Sequence, residues 1–197
     1  YESSVKSPNN AGQKTELIEL YQKPNTVLSP IPIEQMSRLI RQVDAMPSLS
    51  SPHLYYVIGP SGAGKDSLID YARRCLDGRN VAFAHRYVTR PASAGGENHV
   101  ALSEGEFVAR RAAGCFAMTW GSHGLHYGLG TEIRTWLNLN LTVVVNGSRG
   151  YLPTAAEDFP NLIPVLVRVD PVVLEGRLRT RGRETEAEIA ERLRRAA

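Results

Sequence analysis

A glycine-rich segment is the part of the chain whose residue types and spacing point most directly to chemistry. Residues 59–65 read Gly-Pro-Ser-Gly-Ala-Gly-Lys, between a short apolar run and a segment of helical periodicity. In this context the pattern G-x-x-x-x-G-K predicts a P-loop, whose backbone amides cradle phosphate oxygens and whose lysine charge acts on the transferred group. The segment therefore predicts phosphoryl transfer from ATP. The residues expected to bind the ATP phosphates are Gly59, Pro60, Ser61, Gly62, Ala63, Gly64, Lys65, Asp66 and Ser67.

The residue after the lysine departs from the usual pattern. A Ser or Thr normally stands there and its hydroxyl ligates magnesium, whereas this chain has Asp66 followed by Ser67. A carboxylate can bind Mg²⁺ directly or through water. It can also act on the acceptor, or cap the helix. We expect a functional role for Asp66, with Mg²⁺ as the metal, and the sequence leaves the other two roles open.

Arginines supply the positive charge that a phosphoryl-transfer site needs. Arg90 follows a predicted strand, at the edge where open α/β sheets bind ligands. A second group lies near the end of the chain and comprises Arg177, Arg179, Arg181, Arg183 and Arg192. Residues 181–183, Arg-Gly-Arg, interrupt helical periodicity and predict a mobile lid that closes over the phosphates. The alternative is a solvated basic helix face.

Strands and helices alternate from residue 53 onward, which predicts an α/β fold. We expect a three-layer α/β/α P-loop NTPase with a mostly parallel sheet and small acceptor-binding and lid regions. Strands are predicted at 54–58, 81–88, 116–119, 126–127, 141–145 and 162–169, and helices at 66–76 and after residues 103, 170 and 185. Capping boxes at Ser103 and Thr185, and Asp170 followed by proline, mark three of the helix starts.

The first 52 residues differ in character from the rest. Residues 1–30 are polar without strong periodicity and predict a loop or a loosely held tail. Residues 32–46 predict one amphipathic helix, and residues 47–52 a Ser/Pro linker. The sequence thus predicts an N-terminal extension over 1–52 and a kinase domain over 53–197.

Bulk properties narrow the class of partner. The 197 residues are 42% hydrophobic and 22% charged, with a net charge of +3, which suits a phosphate site but is too small to argue for nucleic acid. No run of about 18 apolar residues predicts a membrane span. Cys75 and Cys115 have neither metal nor disulfide spacing, which favours a reducing, cytoplasmic setting. The expected partner is a small-molecule substrate, and the residues do not indicate an oligomeric state.

From about residue 54 to the end, the chain resembles the guanylate kinase superfamily. The similarity includes the P-loop, Thr89-Arg90-Pro91, residues 98–107, Gly124 to Gly128 and the arginine-rich lid. It implies that Arg90 and Tyr127 hold the acceptor's phosphate and that Arg177, Arg181 and Arg192 belong to the lid. Lys65, Arg181 and Arg192 are then the residues expected to act in catalysis. The family also has a further strand and helix near the adenine pocket, so we expect this chain to be short at its C-terminus.

Base recognition departs from that family. Met118 stands where a guanylate kinase has the Glu that hydrogen-bonds guanine, and a thioether cannot replace those bonds. Ser93 replaces a second acceptor-site arginine, and His99 replaces a phosphate-binding tyrosine. Asn146 falls within the family's acidic Asp-x-Asp segment.

This combination is similar to one branch, the ribose 1,5-bisphosphate phosphokinases of phosphonate degradation. The shared phrases begin at Gly59, Ala84, Ala92, Ala101, Val145 and Arg181. The resemblance implies that ATP phosphorylates ribose 1,5-bisphosphate to 5-phosphoribosyl 1-diphosphate. The residues it suggests as acceptor clamps are Arg90, His99, Tyr127 and Arg149.

Several assignments stay open at this point. His99 is equally consistent with a plain loop histidine. Asn146 can orient a hydroxyl or a magnesium-bound water, or cap a turn. Trp120 and Trp136 are expected to pack, and Glu97 is either a water-mediated magnesium ligand or a surface carboxylate. The alternative functions are a guanylate or other nucleoside monophosphate kinase, and a non-catalytic guanylate kinase-like binding module.

Overall fold

The computed structural model describes residues 2–6, 17–22, 52–94, 98–182 and 185–196. Ten strands are placed within these residues. They are β1 (Glu2–Lys6), β2 (Leu17–Gln22), β3 (Leu54–Ile58), β4 (Val81–Phe83), β5 (Arg86–Val88), β6 (Val100–Ala101), β7 (Phe116–Ser122), β8 (Leu125–Gly130), β9 (Thr142–Asn146) and β10 (Leu162–Val169). The α-helices are α1 (Lys65–Cys75), α2 (Glu104–Ala112), α3 (Glu132–Asn138), α4 (Leu152–Asp158), α5 (Pro171–Arg181) and α6 (Glu186–Ala196).

Six strands form the larger sheet, in the order β1-β2-β10-β3-β9-β4. β2 runs parallel to β10 and β4 runs parallel to β9, whereas β1 pairs with β2 in the antiparallel sense. The continuous apolar runs of β3, β9 and β10 are largely buried, as expected for strands of a parallel sheet covered on both faces. This confirms the predicted α/β fold with its mostly parallel sheet.

Four strands form a second sheet, in the order β6-β5-β8-β7. β7 and β8 make an antiparallel hairpin whose turn contains His123 (φ 52°) and Gly124 (φ 71°). Two successive positive φ values are typical of the tight turns that match the twist of a hairpin. The sequence predicted the two hairpin strands but not the sheet to which they belong.

The single strand predicted over residues 81–88 is wrong. The chain forms β4 and β5 instead, and these belong to different sheets. Ala84 donates a backbone hydrogen bond to the Val144 carbonyl, and the chain then leaves the larger sheet at His85. Apolar periodicity does not register this change of partner, because the residues on both sides have strand-like character.

The prediction of a loop over residues 1–30 is wrong for two segments, since β1 and β2 are strands. β2 contains Leu, Ile, Leu and Tyr, residues that suit a pleated surface, and five of its residues are in register with β10 between Val165 and Val169. The helix predicted over 32–46 and the linker over 47–52 lie outside the described residues. The domain boundary near residue 52 stays a prediction.

The three predicted helix caps are confirmed. The Ser103 hydroxyl accepts from the Glu106 amide (3.1 Å), and the Asp170 carboxylate accepts from the Val172 amide (2.8 Å). At Thr185 the box is reciprocal, because its amide donates to the Glu188 carboxylate (2.7 Å) and its hydroxyl accepts from the Glu188 amide (3.4 Å). α5 ends at Arg181, and Gly182 caps it in the left-handed conformation.

The chain divides into two compact units. One combines the strands of the first 50 residues with residues 57–65 and everything from residue 163 onward. The other combines residues 51–56 with residues 66–162. In the part of the chain that is described, no helix has the length and apolar character needed to cross a membrane.

Candidate active site

The glycine-rich loop has three glycines with positive φ, and at two of them a side chain would also have no room. Gly59 has a φ of 150°, and a Cβ there would lie 2.4 Å from the Val167 carbonyl oxygen of β10. Gly62 has a φ of 88°, and its Cβ would lie 2.9 Å from Cδ1 of Leu174 in α5. Side chains at either position would force the loop away from β10 and α5. The glycine spacing read from the sequence is therefore a packing requirement, in addition to the phosphate-binding role that the sequence predicts.

Lys65 braces the loop that precedes it. Its Nζ donates to the carbonyl oxygens of Gly59 (2.9 Å) and Pro60 (3.0 Å). α1 begins at Lys65, so the amides and the positive dipole end of this helix follow the loop directly. The lysine thus lies against the loop for which the motif predicts phosphate binding.

Two of the arginines predicted to form a lid contact the glycine-rich loop. Arg192 of α6 donates from Nη1 to the Ser61 hydroxyl (2.7 Å), and Arg177 of α5 donates to the Gly62 carbonyl (3.4 Å). Arg179 instead forms ion pairs with Glu175 and Glu186, so it links α5 to α6. The Arg181 side chain and all of Arg183 lie outside the described residues, and their predicted lid and catalytic roles stay predictions.

Asn146 orients Asp66 through a hydrogen bond. The sequence singled out these two residues separately. Asn146, at the end of β9, donates from Nδ2 to Asp66 Oδ1 at 2.7 Å. Asn146 is 5% exposed, and its Oδ1 is buried without a hydrogen-bond partner among the described residues. An oriented carboxylate beside a buried acceptor suits a hydrated Mg²⁺ or a ligand hydroxyl. Ser67, which follows Asp66, is exposed.

The described residues contain no cluster of three or more His, Cys, Asp or Glu side chains that could hold a metal by themselves. At phosphoryl-transfer sites Mg²⁺ is usually bound by one or two carboxylates together with waters and the substrate's phosphates. Asp66 and Asn146 therefore fit a magnesium ion that arrives with its nucleotide. Glu97 lies outside the described residues.

Arg90 and His99 form a reciprocal pair. Arg90 donates from Nη2 to His99 Nδ1 (3.3 Å), and His99 Nε2 lies 3.0 Å from the Arg90 carbonyl oxygen. A guanidinium can only donate, so Nδ1 accepts and Nε2 carries the proton that bonds the carbonyl. His99 is 9% exposed. The two side chains therefore restrain each other, whereas the sequence left His99 open between the acceptor site and a plain loop histidine.

A buried tyrosine shapes the turn after Asn146. The Tyr56 hydroxyl accepts from the Ser148 amide (2.9 Å), and its ring fills the space where a Cβ on Gly147 would stand, 2.2 Å from Cζ. Burial raises the pKa of Tyr56 to about 12. The neutral phenol thus fixes the backbone between Asn146 and Arg149, and Arg149 is exposed on this turn.

Tyr127 lies in an aromatic stack that the sequence did not predict. Its ring is stacked on Trp120 with centroids 5.7 Å apart and planes 3° apart, and Trp120 contacts Tyr151 at 5.8 Å. The Arg86 guanidinium lies 5.0 Å from the centre of the Tyr127 ring. Met118 is 1% exposed on the neighbouring strand. The sequence placed Arg86 in the conspicuous stretch between Ala84 and Arg90. It could not show which face of the sheet Arg86 occupies, because that depends on strand register.

The chain is similar to several curated proteins named ribose 1,5-bisphosphate phosphokinase PhnN. It is 60% identical over 144 residues to that of Chromobacterium violaceum, covering 73% of this chain and 77% of the relative. It is 58% identical over 149 residues to that of Thiobacillus denitrificans, covering 75% and 78%. A relative from Laribacter hongkongensis is 59% identical over 140 residues, which are 71% of this chain but only 34% of that longer protein.

Comparison with solved structures gives the fold. The crystal structure of guanylate kinase from Anaplasma phagocytophilum superposes with a TM-score of 0.52 at 16% identity, covering 74% of this chain and 68% of that one. No family model matches the chain. The P-loop fold is thus that of a guanylate kinase, and the identities of 58% and 60% over more than three quarters of two relatives' lengths show that the chain belongs to the ribose 1,5-bisphosphate phosphokinase PhnN family.

Proposed function

We propose that this chain transfers the γ-phosphoryl group of ATP to ribose 1,5-bisphosphate and releases ADP and 5-phosphoribosyl 1-diphosphate. The observation that carries the proposal is the identity of 58–60% to relatives named for action on this substrate. The P-loop supported by Lys65 and the pairing of Arg90 with His99 agree with it. In this proposal the first binds the phosphates of ATP and the second binds a phosphate of the acceptor.

The acceptor's chemistry explains which residues the site needs. An oxygen of the 1-phosphate attacks the γ-phosphorus, and the bond from that phosphorus to the β,γ-bridging oxygen breaks. The second pKa of a phosphate ester is near 6, so at pH 7 the attacking oxygen is already deprotonated and no general base is required. What the protein must supply is charge and position for two polyanions.

The residues divide this work between donor and acceptor. Loop amides and Lys65 bind the donor phosphates, and Arg177 and Arg192 bring positive charge to the same loop. Tyr127 and Arg90, which His99 positions, bind the acceptor. Arg149 is the further acceptor-binding residue and is exposed on the turn after β9.

Asp66 and Asn146 would hold Mg²⁺, which neutralises charge on the nucleotide's phosphates when bound. This metal role for Asp66 is favoured over a role as base, because the acceptor oxygen has no proton to remove. The cytoplasmic location expected from the cysteines stays a prediction.

Substitution of Lys65 tests whether the chain is a kinase or a non-catalytic binding module. We expect Lys65→Ala to lower kcat/KM with ATP and ribose 1,5-bisphosphate by about 10³-fold or more, because the lost charge acts on the transferred group. An ADP-release assay measures it, with Arg111→Ala on the exposed side of α2 as a control that keeps full turnover. Undiminished turnover in Lys65→Ala would contradict the mechanism.

A further inference from the structure

The second sheet has two faces of different character. On one face, Phe107 of α2 stacks on Phe116 (4.8 Å) and on His126 (5.4 Å), so a helix covers it. The opposite face is defined by strand register. Arg86 pairs with Leu129, which pairs with Met118. Tyr127, two residues before Leu129 on β8 and therefore on the same face, pairs with Trp120. Directly paired residues point to the same face of a sheet.

This opposite face places a guanidinium among aromatic rings. Arg86 lies over Tyr127, which stacks on Trp120, and Tyr151 from the end of the β9–α4 turn contacts Trp120 at a tilt of 30°. All four residues are half-buried, so each keeps part of its surface toward solvent. Arg86 also lies close enough to the Tyr56 hydroxyl for its charge to oppose the effect of burial on that group's pKa. The face therefore adjoins the turn that Tyr56 fixes.

The acceptor assigned above has two phosphates, and only one of them reacts. Arg90, paired with His99, is assigned to one of these phosphates. The other phosphate needs a second positively charged group. Met118, Leu129 and Arg86 are paired across three neighbouring strands, so Arg86 lies on the same face as Met118. Met118 takes the place of the family's guanine-binding Glu. A guanidinium binds phosphate through two parallel hydrogen bonds, and the Tyr127 ring beneath it restrains its orientation.

We propose that Arg86 forms a second phosphate subsite, which binds the non-reacting 5-phosphate of the acceptor above the face formed by Tyr127, Trp120 and Tyr151. Arg86 is thereby a residue that determines specificity for a bisphosphorylated sugar over a monophosphorylated one. This inference rests on the proposed function, since it divides that acceptor's two phosphates between Arg86 and Arg90.

The test compares two acceptors, ribose 1,5-bisphosphate and ribose 1-phosphate, which lacks the 5-phosphate. Wild-type protein is expected to prefer the bisphosphate in kcat/KM. Arg86→Ala is expected to reduce that preference about 10- to 100-fold, the range for loss of hydrogen bonds to a charged group. The KM for the bisphosphate should rise far more than the KM for ATP, and Arg86→Lys should restore part of the preference because it keeps the charge.

Arg110→Ala is the matched control. The Arg110 guanidinium also lies over a tyrosine of this sheet, 5.6 Å from the Tyr87 ring, but on the face that α2 covers. It should keep the wild-type preference, which separates loss of the subsite from loss of an arginine–aromatic contact. Thermal melting of each variant checks folding.

The outcomes separate the two proposals. If wild-type protein does not phosphorylate ribose 1,5-bisphosphate, the proposed function fails, and the subsite that rests on it fails with it. If wild-type protein is active but Arg86→Ala keeps its preference, or loses turnover of both acceptors equally, the second subsite is refuted and the proposed function stands.

Discussion

The contact between Asn146 and Asp66 allows the sharpest test of the metal and nucleotide side of the site. Asn146→Ala removes the 2.7 Å bond from Nδ2 to the Asp66 carboxylate and also removes the buried Oδ1. A hydrogen bond to a charged group contributes about 1.5–3 kcal/mol. If that orientation is needed in the transition state, kcat/KM should fall about 10- to 150-fold, since 1.36 kcal/mol corresponds to a tenfold change in rate.

The assay is ADP release at several Mg²⁺ concentrations, with four proteins in a double-mutant cycle. These are wild type, Asn146→Ala, Asp66→Asn and the double variant. Because the two side chains act as one unit, the double variant should lose little more than Asp66→Asn alone. The Mg²⁺ concentration for half-maximal rate should rise in each variant. Asn138→Ala, an exposed asparagine at the end of α3, is the matched control and should behave as wild type.

Two results would refute this reasoning. Additive losses would show that the hydrogen bond does not couple the two residues in catalysis. An unchanged Mg²⁺ dependence in Asp66→Asn would show that the carboxylate does not serve the metal, and would favour helix capping.

Two further predictions concern the turn that Tyr56 supports. Gly147→Ala should lower the free energy of unfolding by about 1–3 kcal/mol, because its Cβ would enter the Tyr56 ring. Gly150→Ala, whose Cβ would have only one side-chain atom nearby, at 4.0 Å, should unfold like wild type. Equal free energies of unfolding for both variants in a denaturant titration would count against this packing. Tyr56 has a pKa of about 12 when folded and 10.0 as its reference value, so its contribution to stability is fully present below pH 10 and is lost as the pH rises toward 12. The loss is about 2–3 kcal/mol, and it should be absent from the pH dependence of unfolding of Tyr56→Phe. Parallel curves for the two proteins would contradict the assignment.

The parts of the fold that the sequence predicted well are those set by local signals. Residues 59–65 specify the loop because glycine spacing and the adjoining strand and helix agree. The starts of α2, α5 and α6 follow from Ser103, Asp170 and Thr185, whose side chains bond amides two or three residues away. Such contacts leave a readable pattern in a single stretch of chain.

The parts that the sequence missed depend on contacts between distant segments. β2 pairs with β10 across more than 140 residues, and nothing near Leu17 indicates that partner. The break between β4 and β5 reflects a change of sheet, not of residue type. The side of the second sheet that Arg86 faces follows from its register with Leu129, and the tautomer of His99 follows from the position of Arg90. Residue types suggested chemistry here, but only the pairing shows which groups meet.

The most direct test of the central claim is a comparison of acceptors with wild-type protein. ADP release is measured with ATP and Mg²⁺ and with either ribose 1,5-bisphosphate or GMP, and the sugar product is identified by mass. The account predicts turnover of ribose 1,5-bisphosphate to 5-phosphoribosyl 1-diphosphate and little turnover of GMP, because the apolar, buried Met118 offers guanine no carboxylate. Robust turnover of GMP without turnover of ribose 1,5-bisphosphate would contradict it.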